Sequence, residues 1–314
     1  MIDYFNIATN IDTQVFFATG ISTGSSTVTS GSWQTWTKPR NATFVFITAI
    51  GGGGGGGCAF TDGVKFNGGG GGGSAAIAKG VFPANLIPDV LYIKVGKGGA
   101  GSAGGGNNIS GNPGQLSYVC VQPTSSYDDN QIRNSNILLL SGIFPAQAGA
   151  GANAGLGAGG GGGSGGAPVS QNSYPLFSLG IVQGFDGTAG TNGGTGPGAV
   201  ASITPTTITT GGGGGAGGAS GTTVLGGLIN SQSIVPEIPS DSAGFAAQQP
   251  SGLVSQKYPM QFTGGAGGRT SNLFGQIGGN GAYGSGGGGA AVDTLVTSRR
   301  GGNGGDGVVI ITCF

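Results

Sequence analysis

Apolar and polar residues alternate over Leu91-Tyr92-Ile93-Lys94-Val95, the pattern of a strand with one buried face. Phe44 to Ile50 and Val308 to Cys313 are instead apolar on both faces, as central strands are. The same reading places strands at 74–80, 90–96, 115–121 and 136–141. Strand 44–50 opens the glycine-rich region and 308–313 closes it, so the two are expected to be neighbours in one sheet. Helical periodicity is absent from every long segment, and Ala243 to Gln249 is the nearest candidate. The pattern predicts an all-β scaffold, a small antiparallel sheet or sandwich, with almost no α-helix.

Glycine accounts for 77 of the 314 residues, concentrated in runs such as Gly51 to Gly57 and Gly68 to Gly73. Disordered glycine-rich chains are usually poor in apolar residues and rich in charge, whereas here charged residues are 7% and strand-like segments punctuate the runs. A helix or strand of bare glycine forfeits conformational entropy, about 0.5–1 kcal/mol per residue against alanine, and has nothing to pack. The polyproline-II conformation has no internal hydrogen bonds and points its amides and carbonyls outward in three directions. Neighbouring glycine segments can therefore satisfy one another, at about 1 kcal/mol net per hydrogen bond, provided that many take part. The expected architecture is a bundle of polyglycine helices inserted in the β scaffold, mainly over residues 51–73 and 149–307. Residues 1–32 read as an arm or attachment segment, and 33–314 as the glycine-rich domain.

The chemistry is sparse. Eleven basic and eleven acidic residues balance, with no basic cluster larger than Arg299-Arg300, so nucleic acid is not an expected partner. Apolar runs are too short to cross a bilayer, and the N-terminus shows no secretory signal pattern. Histidine is absent, which removes the common nucleophile–base pairs and zinc sites. No enzymatic activity, metal or cofactor is expected. Cys58, Cys120 and Cys313 lack ligand spacing and read as small buried hydrophobes. Gly301 to Val309 fits one copy of a calcium-binding nonapeptide, but a lone copy cannot build stacked turns and reads as a turn into the last strand.

Side chains concentrate in segments between the glycine runs. Candidate recognition residues are Phe60, Asp62, Lys65 and Phe66 in one loop, Tyr174, Phe177, Phe185 and Asp186 in a second, with Tyr258 and Phe274 further on. Each aromatic either meets a partner or shields a bundle end from water. Trp33 and Trp36, before Pro39, either anchor the following strand or form an oligomer contact.

Trp33-x-x-Trp36-x-x-Pro39, the strand running into Gly51 to Gly57, and the terminal Gly304-Gly305-Asp306-Gly307-Val308-Val309-Ile310-Ile311-Thr312 resemble the glycine-rich domains of bacteriophage tail-fibre and other virion proteins. The alternation of glycine runs and loops is similar to the adhesins at the fibre tips of T-even-like phages, whose polyglycine helices present loops to bacterial receptors. The resemblance implies a virion-surface protein made in the host cytoplasm and assembled with other virion proteins, with a trimer as the form that fibres suggest, that binds a host glycan or outer-membrane protein. A structural virion component without receptor binding is the alternative, and the place on the particle, whether fibre, spike or capsid, stays open.

Overall fold

The computed structural model describes residues 11–19, 33–61, 66–104, 106–123, 134–151, 159–194, 201–203, 213, 229–231, 277–292 and 298–314. Two antiparallel sheets make a sandwich, and β11 (Ala201–Ile203) and β12 (Ile229–Ser231) form a separate parallel pair. The first has the order β1 (Asp12–Phe17), β14 (Val308–Cys313), β3 (Phe44–Ile50), β6 (Ile77–Pro83), β10 (Ile181–Phe185). The second runs β2 (Gln34–Thr37), β7 (Val90–Lys94), β8 (Tyr118–Cys120), β9 (Ile137–Leu140). Val45, Ile47 and Ala49 of β3 and Val309 and Ile311 of β14 face Trp36, Leu91, Ile93, Val119 and Leu138 across one apolar core. As expected of the strands that open and close the glycine-rich region, β3 and β14 are direct neighbours, with Ile47 opposite Ile311.

The glycine segments are straight continuations of these strands. β3 runs on into 51–58, β7 into 96–102, β9 into 146–151 and β10 into 187–194, while 68–76, 109–115 and 301–307 lead into β6, β8 and β14. Two sheets packed through side chains stand about 10 Å apart; where the side chains end, the segments close up and bond in every direction. The amides of Gly51, Gly54 and Gly57 donate to Ala76, Gly73 and Gly70; those of Gly52, Gly55 and Cys58 to Gln115, Asn112 and Ile109; those of Gly53 and Gly56 to Gly305 and Gly302. This period of three residues is that of the polyproline-II helix. The carbonyls of the same run accept from Gly99 and Ser102, from Gly287 and Ala290, and from Gly149.

The 51–58 segment thus lies inside a ring of six, three accepting from it and three donating to it, and the ring members are bonded to one another. The 68–76 segment is the centre of a second such ring. It is bonded to 51–58, 284–290, 147–150, 160–166 and 188–194, and to Gly213, the one described residue of its run. Glycine is required by this approach. A β-carbon on Gly53 would sit 2.0 Å from the Ser285 carbonyl oxygen, and one on Gly54 2.1 Å from that of Gln147. Each Cα hydrogen therefore points at a neighbouring carbonyl, adding weak C–H···O contacts to the amide bonds.

Buried serines join the two regimes. Ser117 accepts from the Gly96 amide and donates to the Ile50 carbonyl, its own amide donates to Ser141 Oγ, and Ser74 Oγ accepts from the Thr188 amide. These hydroxyls satisfy backbone groups that the change from ladder to array would leave unpaired.

The structure alters several expectations. β6 begins at Ile77, because Ser74-Ala75-Ala76 still belong to the array. β1 lies within the 1–32 stretch read as an arm, yet its six residues pair with β14 along their whole length. The first seven residues of the 301–309 nonapeptide form a glycine helix rather than a turn, and Val308 and Val309 already belong to β14. Among the described residues, helix is confined to short 3-10 turns at Ala84–Leu86, Asn134–Asn136 and Pro175–Leu179; the 243–249 candidate lies outside the described residues.

Candidate functional site

A threefold helix presents every third residue on one side, and the non-glycine residues of the outer segments follow that spacing: Arg300, Asn303 and Asp306 on one, Asn280 and Tyr283 on the next, Lys97 and Ala100 on a third. These segments lie side by side. Gly304 donates to Gly99 and Gly307 to Gly96, while Gly278, Gly281 and Gly284 donate to Arg300, Asn303 and Asp306. Their shared outer face is the floor of a groove of about 840 Å³, walled by Phe17, Ala18 and Tyr283. The wall arises because β1 ends at Phe17, opposite Val308, while the array continues beyond β14.

The polar side chains of the floor are held by the backbone. Asp306 Oδ1 accepts from the Gly98 amide at 2.9 Å, and Oδ2 pairs with Lys97 Nζ at 2.9 Å. Asn303 Oδ1 accepts from Gly101, and Asn280 Oδ1 from the Asn303 amide, each at 2.9 Å. These carboxamides and the carboxylate cap amides that the array leaves pointing outward. The phenyl of Phe17 leans on the ring of Tyr283, centroids 5.8 Å apart and planes inclined at 36°, while 42% of Phe17 remains exposed. Such a surface offers stacking and directed hydrogen bonds. It brings no nucleophile and base together, and among the described residues no cluster of His, Cys, Asp and Glu could hold a metal ion.

The residues proposed from the sequence are dispersed. Phe60 is half-buried on β4 (Ala59–Thr61), at the far end of the array, where β4 pairs with β5 (Phe66–Asn67) and β13 (Ser298–Arg299). Phe66, on β5, is buried. The 167–189 segment is not a bundle-end loop. Phe177 is fully buried in the sandwich core, and the Tyr174 ring packs against it at a tilt of 58°, centroids 5.2 Å apart, where burial pushes its phenol pKa up. Phe185 lies on β10 beneath Lys79 Nζ, 5.8 Å from its ring centroid; burial lowers the Lys79 pKa, and Asp186 beside it is exposed. Trp36 is fully buried and Trp33 packs against the same core, so Trp36 has no surface to give to an oligomer contact. Asp62, Lys65, Tyr258 and Phe274 lie outside the described residues. The groove residues were missed; their three-residue spacing was the signal that could have found them.

All three cysteines are buried thiols outside any disulfide. Burial pushes the Cys120 thiol up to about 12, with the Lys94 charge opposing, and burial together with Asp12 pushes Cys313 up to about 11.

Fold and face together define a glycine-rich β-sandwich whose strands run on as a hydrogen-bonded array of glycine helices, with polar side chains along its outer face. Residues 27–314 match a family described as a glycine-rich domain, and the chain belongs to that family. No curated protein matches the chain.

Proposed function

We propose that this chain is a non-enzymatic surface protein of a bacteriophage or other virus particle, in which the glycine array is a rigid body that carries recognition surfaces to a host receptor. The observation that supports it best is the closed ring of bonds around 51–58. A segment tied in every direction, with its amides buried, has little freedom to bend, so hairpins and side chains fixed to its ends and faces are held in place before a partner arrives. The sequence resemblance to virion glycine-rich domains supplies the context, and a host glycan or outer-membrane protein is the partner class. Function in this reading lies in the 58–67 hairpin and the array face, and the 167–189 segment serves the sandwich.

Labelled full-length protein incubated with a panel of bacterial strains tests the reading. Saturable binding to some strains, lost when residues 62–65 are replaced by glycine and serine, is the expected result. Absence of binding to every strain, combined with failed particle assembly when the chain is deleted, would replace it with the purely structural alternative.

A further inference from the structure

We propose that the groove between Phe17, Tyr283 and the 97–100, 280–283 and 303–306 segments binds a neutral oligosaccharide. The inference deepens the receptor reading, on which it rests for its biological setting, by assigning a second site and the class of its ligand.

Four features point the same way. The groove, about 840 Å³, lies in the size range of small-ligand sites, about 300–1,000 Å³. Its wall is aromatic and open, and a sugar ring presents a flat C–H face that stacks on such rings. Its floor carries amide donors already oriented: the side-chain oxygens of Asn280 and Asn303 are held by backbone amides, which leaves each Nδ2 to donate to a ligand in the groove. Finally, the charges cancel. Lys97 and Asp306 engage each other at 2.9 Å, so the groove has no unpaired charge from either to attract an anion or a cation, and a ligand that brings one loses solvation without compensation.

The test uses the full-length protein on a printed panel of neutral and acidic oligosaccharides, followed by calorimetric titration with the best neutral binder. Neutral members are expected to bind and their sialylated counterparts to bind no better. Phe17→Ala is expected to weaken binding about ten-fold by removing the stacking platform, while Phe17→Trp retains it; both should melt with the wild type. Failure of the wild type to bind any neutral member, or wild-type affinity in a folded Phe17→Ala variant, would overturn the assignment. The strain panel keeps the two ideas apart. Cell binding without oligosaccharide binding sinks the groove and leaves the receptor reading standing, whereas oligosaccharide binding without cell binding does the reverse.

Discussion

Replacing Gly54 by alanine tests the array most directly, because a single methyl group is placed where a neighbouring backbone already is. The new β-carbon would lie 2.1 Å from the Gln147 oxygen and 2.6 Å from its carbonyl carbon, whereas ordinary contact begins near 3.4 Å. Relief needs the 146–150 segment to move by more than an ångström. That segment is held by bonds of 2.9 Å from Gly73 to Gln147, from Gln147 to Ser164 and from Gly149 to Gly55. Moving it stretches all three beyond hydrogen-bonding range, at about 1–3 kcal/mol for each buried group left unpaired. The cost is on the order of 5 kcal/mol, comparable with the whole stability of many domains. Gly161 is the control. It lies in the 159–166 segment of the same array, but a β-carbon there meets nothing within 4 Å and its φ is not positive. Gly161→Ala should therefore be neutral or stabilise by about 0.4–1 kcal/mol through the unfolded chain. Thermal melts followed by circular dichroism compare the two. A Gly54→Ala protein that melts with the wild type, or a Gly161→Ala protein that loses as much as Gly54→Ala, would refute the close-packed array.

Other outcomes follow from the same contacts. Ser117→Ala removes the hydroxyl that serves both Gly96 and Ile50 and should cost about 2–3 kcal/mol, read as a lower midpoint in urea; an unchanged midpoint would show that the strand–array junction does not depend on it. Asp306→Ala exposes the Gly98 amide and frees Lys97, for a loss of about 1–2 kcal/mol. Asp306→Asn keeps the Oδ1 acceptor and should recover most of it, and equal losses in both would mean that charge rather than capping matters. The raised thiol pKa values set an alkaline limit. The folded state favours the protonated thiol, so stability is intact below the ordinary thiol pKa, about 8.5, and declines as pH rises toward about 11 for Cys313 and about 12 for Cys120. Denaturant midpoints at pH 8 and pH 10.5 should show that decline, and replacing Cys120 by alanine should flatten it.

The strands that could be read from sequence are those with apolar residues on both faces or in strict alternation. Phe44 to Ile50 and Val308 to Cys313 revealed even their pairing, because one opens the glycine-rich region and the other closes it. The boundary of β6 was less legible, since serine and alanine at 74–76 fit an array as well as a strand. β1 and β10 were missed because Thr13, Gln14, Gln183 and Gly184 dilute their apolar pattern, and the partner strand supplies the order that propensity does not. The presence of an array was legible from the runs themselves; which run neighbours which was not. Glycine carries no side chain to specify a partner, so the choice is made by the strands that enter and leave each run. The open reading of Trp36, as anchor or oligomer contact, and the misplaced recognition residue Phe177 have a related cause. Phe177 and Trp36 are large apolar side chains, and neither has a local pattern that separates a core anchor from an exposed contact; only the sheet they pack against decides it.

A lattice that bonds in three directions has no intrinsic edge, which is the array form of the exposed-strand problem. The chain ends it chemically. Asp306 and Asn303 cover the Gly98 and Gly101 amides on one side, and Asn192 covers Gly162 on another, at 2.7 Å. Each places a short side-chain acceptor where the next glycine helix would have supplied a carbonyl. The same residues are the polar groups that face outward from the array, at the spacing of the helix. The device that stops the lattice from recruiting another strand is therefore also the source of its surface chemistry. Substitutions that change what the face offers must preserve an acceptor at the capping atom, which favours Asn, Asp and Ser at the helix positions themselves and leaves greater freedom to Phe17, Ala18 and Tyr283 along the rim.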